Sequence, residues 1–298
     1  MKVVLCVVAA KENLYINEWC HHYLNIGFDH IYIYNNDNPE DEYIGNAIGD
    51  DIKDKITIMP GYEGEQKINL QCSIYNVFYG NHKNEFDWCA FFDVDEFLDG
   101  ISDIKEFLNQ DKFDNYNQIF VKWRLFGDDD LIERDVTQPV YGFFKQVQEN
   151  PEYLSNQIKI IARGGLEQLR FINVHFASEL LGVEDHYVIS KGCFPSGKEA
   201  TITYYCISDK KDYDNETIYL NHYRTKTLSE FMHQKLPRGD RIYSFYNIKM
   251  KYYWEQNKHT PEKDKYVQEH KDLLEIKPIK IKKRSHRKND KGEIEWID

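Results

Sequence analysis

The chain opens on an unbroken apolar run, Val3 to Ala10, and turns polar at Lys11-Glu12-Asn13. Apolar residues at consecutive rather than alternate positions suit a strand buried on both faces of a parallel sheet. From Leu14 to Ile26 the apolar positions Leu14, Ile16, Trp19, Tyr23, Leu24 and Ile26 fall largely at helical spacing, with Gly27 placed as a C-cap. Ile31 to Tyr34 is a second strand that stops at Asn35-Asn36-Asp37-Asn38-Pro39. Strand, helix, strand is a βαβ unit with a right-handed crossover.

Ile56 to Met59 predicts a third strand, stopped by Pro60-Gly61, and a helix follows from about Gln66 to Tyr79. Its spacing turns Leu70, Ile74, Val77 and Phe78 inward and leaves Gln71, Tyr75 and Asn76 on or near other faces. The aromatic run Trp88 to Phe92 predicts a buried strand, Ile104 to Leu108 a short helix, and Ile119 to Trp123 another strand. The second half is less regular. Gln157 to Ala162 and Phe171 to Phe176 read as short strands, Tyr204 to Ile207 is ambiguous, and Tyr219 to Tyr223 leads into a helix cap at Thr227-Leu228-Ser229-Glu230. Strands alternating with helices predict an α/β fold with a Rossmann-like, mostly parallel sheet. The pattern divides the chain into a domain over 1–275 and a basic tail over 276–298, where Lys and Arg accumulate.

Composition narrows this picture. A hydrophobic content of 41% over 298 residues supplies enough apolar surface for one large core. The net charge of -12 argues against a general nucleic-acid binder, so an anionic ligand requires a metal or a local basic patch. The six cysteines form no CxxC pair and read as buried thiols of a reducing compartment. The first apolar run lacks a cleavage region, and no run is long enough to span a bilayer. The expectation is a cytoplasmic protein, with the basic tail either touching anionic lipid at the membrane periphery or serving as a solubilising end.

The chemistry is concentrated where strands end. Asp93-Val94-Asp95-Glu96 directly follows the Trp88–Phe92 run, so carboxylates arrive at the carboxyl end of a strand, where open α/β sheets bind ligands. On a tight turn Asp93 and Asp95 can converge on one hard cation such as Mn²⁺ or Mg²⁺ carrying a diphosphate. Acidic residues after a strand also serve as turn and cap residues. His175, a lone histidine after a strand, reads either as a functional residue or as a satisfied core histidine.

Ala10-Lys11-Glu12-Asn13, Glu18-Trp19, Tyr34-Asn35-Asn36-Asp37, Gln71, Asp93-Val94-Asp95-Glu96, Trp123-Arg124-Leu125-Phe126-Gly127, Leu220-Asn221-His222-Tyr223-Arg224-Thr225-Lys226 and Lys235-Leu236-Pro237-Arg238-Gly239 occur in that order. Together they resemble the GT-A glycosyltransferases, nearest to the family 2-like and family 92-like groups with a DxD motif. The resemblance implies a metal site of Asp93, Asp95 and His222, with Mn²⁺ first and Mg²⁺ second. It implies a donor site of Lys11, Glu12, Asn13, Asn36, Asp37, Gln71, Asp93, Lys226 and Arg238, and an acceptor side that includes His175 and Trp123. It implies inverting transfer of a hexose from a nucleotide sugar, a UDP-sugar first, to a glycan or lipid-linked glycan hydroxyl. Inversion needs a general base. Asp128, Asp130 and Glu133 are the candidates, although the acidic turn there departs from the Gly- and Ser-rich pattern of the family. The rival readings are a metal-dependent phosphohydrolase or nucleotidyltransferase, and a catalytically silent nucleotide-sugar-binding module.

Overall fold

A computed structural model describes residues 1–37, 40–61, 70–148, 157–181, 186–202, 216–236, 246–274, 285–288 and 294–297. β1 (Val3–Ala9) leads into α1 (Ile16–Asn25), then β2 (His30–Asn35), β3 (Ile56–Pro60), α2 (Leu70–His82) and β4 (Trp88–Phe91). β5 (Glu96–Asp99), α3 (Ile104–Leu108), β6 (Gln118–Leu125) and β7 (Ile158–Arg163) follow. α1 closes on a Schellman motif, in which Phe28 and Gly27 donate to the carbonyls of Tyr23 and Leu24, and Gly27 supplies the positive φ of 97° that the motif requires.

β8 (Leu169–Arg170), β9 (Ser178–Leu181) and β10 (His186–Ile189) make a separate three-stranded sheet. β11 (Gly192–Cys193) and β12 (Tyr219–His222) return to the main sheet. Among the described residues that sheet has nine strands, in the order β3-β2-β1-β4-β7-β6-β12-β5 with β11 also on β6. Only β7 and β5 run against the rest. This is the α/β architecture expected, a mostly parallel Rossmann-like sheet flanked by helices. Successive residues of β1 serve opposite faces: Val3, Leu5 and Val7 pack with α1 and α3, whereas Val4 and Cys6 pack with α2.

After β12 the chain makes α4 (Leu228–Glu230), continues as a π-helix over Phe231–Lys235, and later forms α5 (Tyr246–Gln256) and α6 (Pro261–Glu269). α4 begins with the expected capping box, with Thr227 and Glu230 each bonding the other's backbone. In the basic tail, β13 (Ser285–Lys288) pairs antiparallel with β14 (Ile294–Ile297). Among the described residues no helix is long and apolar enough to cross a membrane. The five described cysteines are buried thiols.

Two local expectations are corrected. Phe171 to Phe176 is not a strand. Asn76 occupies both the N–H and the carbonyl of Phe171, and the Asn173 side chain turns the backbone at His175, so Phe171 and Phe176 enter the core from a loop. Tyr75 is fully buried, because Phe91 and Phe171 close over the face of α2 expected to be more open. Tyr204 to Ile207 lies outside the described residues.

Candidate functional site

β1, β2, β4, β6 and β12 are parallel, so their carboxyl ends share one edge of the sheet. The polar residues that follow Ala9, Asn35, Phe91 and His222 are thereby gathered there. β12 decides the geometry. It runs parallel to β6 and antiparallel to β5, in the register His222↔Glu96, and the Tyr223 N–H donates to the Asp95 carbonyl at 2.8 Å. His222 is thus delivered beside Asp95, with its Nε2 3.4 Å from Oδ1.

The turn after β4 separates the two aspartates. Asp93 Oδ1 accepts from Gln71 at 2.6 Å and Oδ2 from Lys159 at 2.8 Å. Asp95 has other partners, and its Oδ2 accepts from Lys235 at 2.6 Å. Burial opposes ionisation of Asp95, but Lys235, His222 and Lys226 outweigh it and hold the carboxyl well below its usual range. Burial lowers the His222 pKa against the pull of Asp95, which favours the neutral imidazole, and Nδ1 is buried without a hydrogen-bond partner. Behind the turn, burial pushes the Glu96 carboxyl well up despite Lys159, while Lys159 is held cationic against its own burial chiefly by Asp93.

A cleft in front of Asp95 is lined by Lys11, Glu12, Tyr15, Arg224, Lys226 and Lys235, among others. Lys226 is 7% exposed, its Nζ lies 4.1 Å from the centroid of the Tyr15 ring, and burial pulls its pKa down to about 8. Lys11 and Lys226 adopt left-handed backbone, at φ 56° and 51°, a conformation uncommon for residues with a Cβ and often found at functional sites. Glu230 is held by Arg134 through two nitrogens, at 2.9 and 2.8 Å, and accepts from Tyr15. Asp37 accepts from the Lys11 N–H through Oδ1, leaving a buried Oδ2 without a partner, and Thr225 Oγ1 in the cleft is also unpartnered.

Of the expected metal set, the structure brings together Asp95 and His222 and not Asp93. Among the described residues no three His, Cys, Asp or Glu side chains converge as a ligand group. The pair itself fits a divalent cation: one ionised carboxylate and one neutral imidazole face each other, and hard and borderline metals accept that combination. Asn36 and Glu12 are buried at the ends of β2 and β1, and Asn13 donates to the Glu42 carbonyl. Arg238 lies outside the described residues.

The acceptor and base candidates fare differently. Trp123 packs edge-on against His222 at 4.4 Å and near His175 at 5.3 Å, with its Nε1 buried and unpartnered. His175 is half-buried and bonds the Ile158 carbonyl at 2.7 Å, and desolvation together with Lys159 drives its pKa down to about 3, so its ring is neutral with one nitrogen already committed. Asp128 is corrected as a base candidate. It is 2% exposed, and its carboxylate takes Lys263 at 2.5 Å, the Tyr253 hydroxyl and the Asp130 N–H, so it is engaged inside the protein and closed off by burial from an acceptor hydroxyl. Asp130 pairs with Lys258, and Glu133 lies 3.4 Å from the Tyr266 hydroxyl. Neither lines the cleft of Asp95.

Sequence reasoning did not name Lys159, Lys235 or Glu230 as site residues. Lys159 had a signal, a lone charge inside the apolar run Ile158 to Ala162, where a buried partner is obligatory.

No family model and no curated protein matches the chain. Solved structures of Staphylococcus aureus TarS match in part. Residues 1–349 of TarS are 16% identical, with TM-score 0.33, over 55% of this chain and 47% of that one. The same fragment in complex with UDP-GlcNAc is 12% identical, with TM-score 0.38, over 92% and 72%. The chain thus spans about half the length of the first of these.

Proposed function

We propose that the chain is a cation-assisted glycosyltransferase that moves a hexose from a nucleotide sugar, a UDP-sugar first, to a glycan or lipid-linked glycan hydroxyl. The observation that carries this reading is the meeting of Asp95 and His222 at the carboxyl edge of the sheet, where Asp95 lines a cleft with Lys11, Arg224, Lys226 and Lys235 and His222 backs it. On a chain of net charge -12, that cleft gathers Lys11, Arg224, Lys226 and Lys235 against the carboxylates of Glu12, Asp95 and Glu230, the local positive charge an anionic donor requires.

Loss of a sugar from a nucleoside diphosphate leaves negative charge on the terminal phosphate. Lys226 and Lys235 are placed to meet that charge as ammonium groups, and Arg224 as a guanidinium with paired donors. Asp95 and His222 would hold Mn²⁺ or Mg²⁺, which supplies Lewis-acid stabilisation of the same leaving group. Asp37 keeps one carboxylate oxygen for an N–H or O–H of the nucleoside. Asp93, locked by Gln71 and Lys159, presents a carboxylate that is one-third exposed, for a sugar or ribose hydroxyl.

The test is thermal stabilisation by a panel of nucleoside diphosphates with and without Mn²⁺, on wild type and Asp95→Ala. A saturating ligand raises stability by about 2–4 kcal/mol. UDP should stabilise wild type with metal and fail to do so in the variant. If no nucleotide shifts the transition in either condition, the donor site is wrong.

A further inference from the structure

The two aspartates of the turn are neutralised in different ways. Lys159 on Asp93 is 1% exposed and lies on β7 at the centre of the sheet, so that contact is fixed. Lys235 on Asp95 is 19% exposed and ends the π-helical segment Phe231–Lys235. Single π turns are rare and favour functional positions, and a lysine stem has enough rotatable bonds to swing its head without moving the backbone. The fixed ammonium is on Asp93, and the displaceable one is on the carboxylate that pairs with His222.

We infer that Lys235 is a built-in competitor for the divalent-cation position, which holds Asp95 Oδ2 until a cation and an anionic diphosphate arrive together. This rests on the reading of Asp95 and His222 as cation ligands. A divalent cation arriving alone meets an ammonium already bonded to its only ionised ligand, with Lys226 close enough to add repulsion. A diphosphate changes the balance, because its oxygens give the displaced Lys235 ammonium a new partner at the mouth of the same cleft. Metal and nucleotide are thereby coupled, each raising the affinity for the other by the same factor. The lysine also keeps the buried carboxylate from standing unpaired when the site is empty. The consequence is a protein that takes up free divalent cation poorly and cation plus nucleoside diphosphate well.

The experiment measures free Mn²⁺ by electron paramagnetic resonance during titration of the full chain, with and without UDP. The proteins are wild type, Lys235→Met, Lys235→Gln and Asp95→Asn, with far-UV circular dichroism and melting midpoints establishing that each is folded. Removing the ammonium should tighten Mn²⁺ binding without nucleotide on the order of tenfold, and should shrink the enhancement by UDP correspondingly. The Gln variant should behave like the Met variant, since the effect is one of charge. If Mn²⁺ binds through Asp95 equally well in wild type and both Lys235 variants, the competitor role is overturned while the cation reading survives. If no protein binds Mn²⁺, or Asp95→Asn binds as wild type does, the cation reading falls and the inference with it.

Discussion

Asp128 separates a catalytic from a structural reading. Its carboxylate and the Lys263 ammonium are 2% and 1% exposed, sit 2.5 Å apart, and tie the end of β6 to α6, with the Tyr253 hydroxyl of α5 as a further donor. Removing one member of such a pair leaves an uncompensated buried charge, at a cost of about 3–5 kcal/mol. Lys263→Met removes the cation and keeps the stem volume, so the loss reports the charge rather than a cavity. For a domain of this size about 3 kcal/mol corresponds to a fall in melting temperature of roughly 6–12 °C. Asp128→Asn should fall comparably, because Lys263 then stands alone. The double variant Asp128→Leu/Lys263→Met should recover much of the loss, since a buried ion pair is worth little more than an apolar pair of similar shape. Differential scanning calorimetry gives the stabilities, and under the proposed function initial glycosyl-transfer rates per folded molecule at a permissive temperature give activity. The structural role predicts an unchanged rate in Asp128→Asn. A general base would lose about 10²–10⁴-fold. Single variants that melt with wild type, or a folded Asp128→Asn with that loss of rate, would refute the clasp.

Lys226 should trade stability for binding. Its folded pKa of about 8 is below that of an unfolded lysine, so the unfolded chain binds the proton more tightly and stability rises with pH from about 8 towards 10.4. Lys226→Met should stabilise the free protein at pH 7 by roughly 1–3 kcal/mol, abolish that alkaline rise and weaken UDP binding, as urea melts across pH and a UDP titration would reveal. His175 is held neutral, with a folded pKa of about 3 against about 6.5 unfolded. Its contribution is complete above pH 6.5 and is lost as pH falls towards 3. Chemical denaturation between pH 7 and 4 should therefore show a steeper loss in wild type than in His175→Gln, and parallel slopes would contradict this assignment.

How much of the site was legible depends on the distance over which each contact acts. The capping box at Thr227 and Glu230, the Gly27 terminus of α1 and the apolar runs of β1, β2 and β4 follow from neighbours within a few residues, where spacing alone constrains the backbone. The placement of polar residues at strand ends follows too, because a buried parallel strand has nowhere else to begin its polar loop. The sequence therefore determined the α/β class and the edge of the sheet at which the polar strand-end residues gather.

Only tertiary structure decided what those residues do to one another. The i, i+2 spacing allows Asp93 and Asp95 to converge, yet the turn parts them, because Lys159 on β7 claims one and His222 with Lys235 claims the other. The antiparallel register of β5 on β12 brings His222 to Asp95, and no local pattern encodes that register. Asp128 looked like a free acid in a polar turn until α5 and α6 brought Tyr253 and Lys263 over it. An ionisable side chain takes its protonation state and its role from the charges and the burial around it, and in this chain those are supplied by residues far away in sequence.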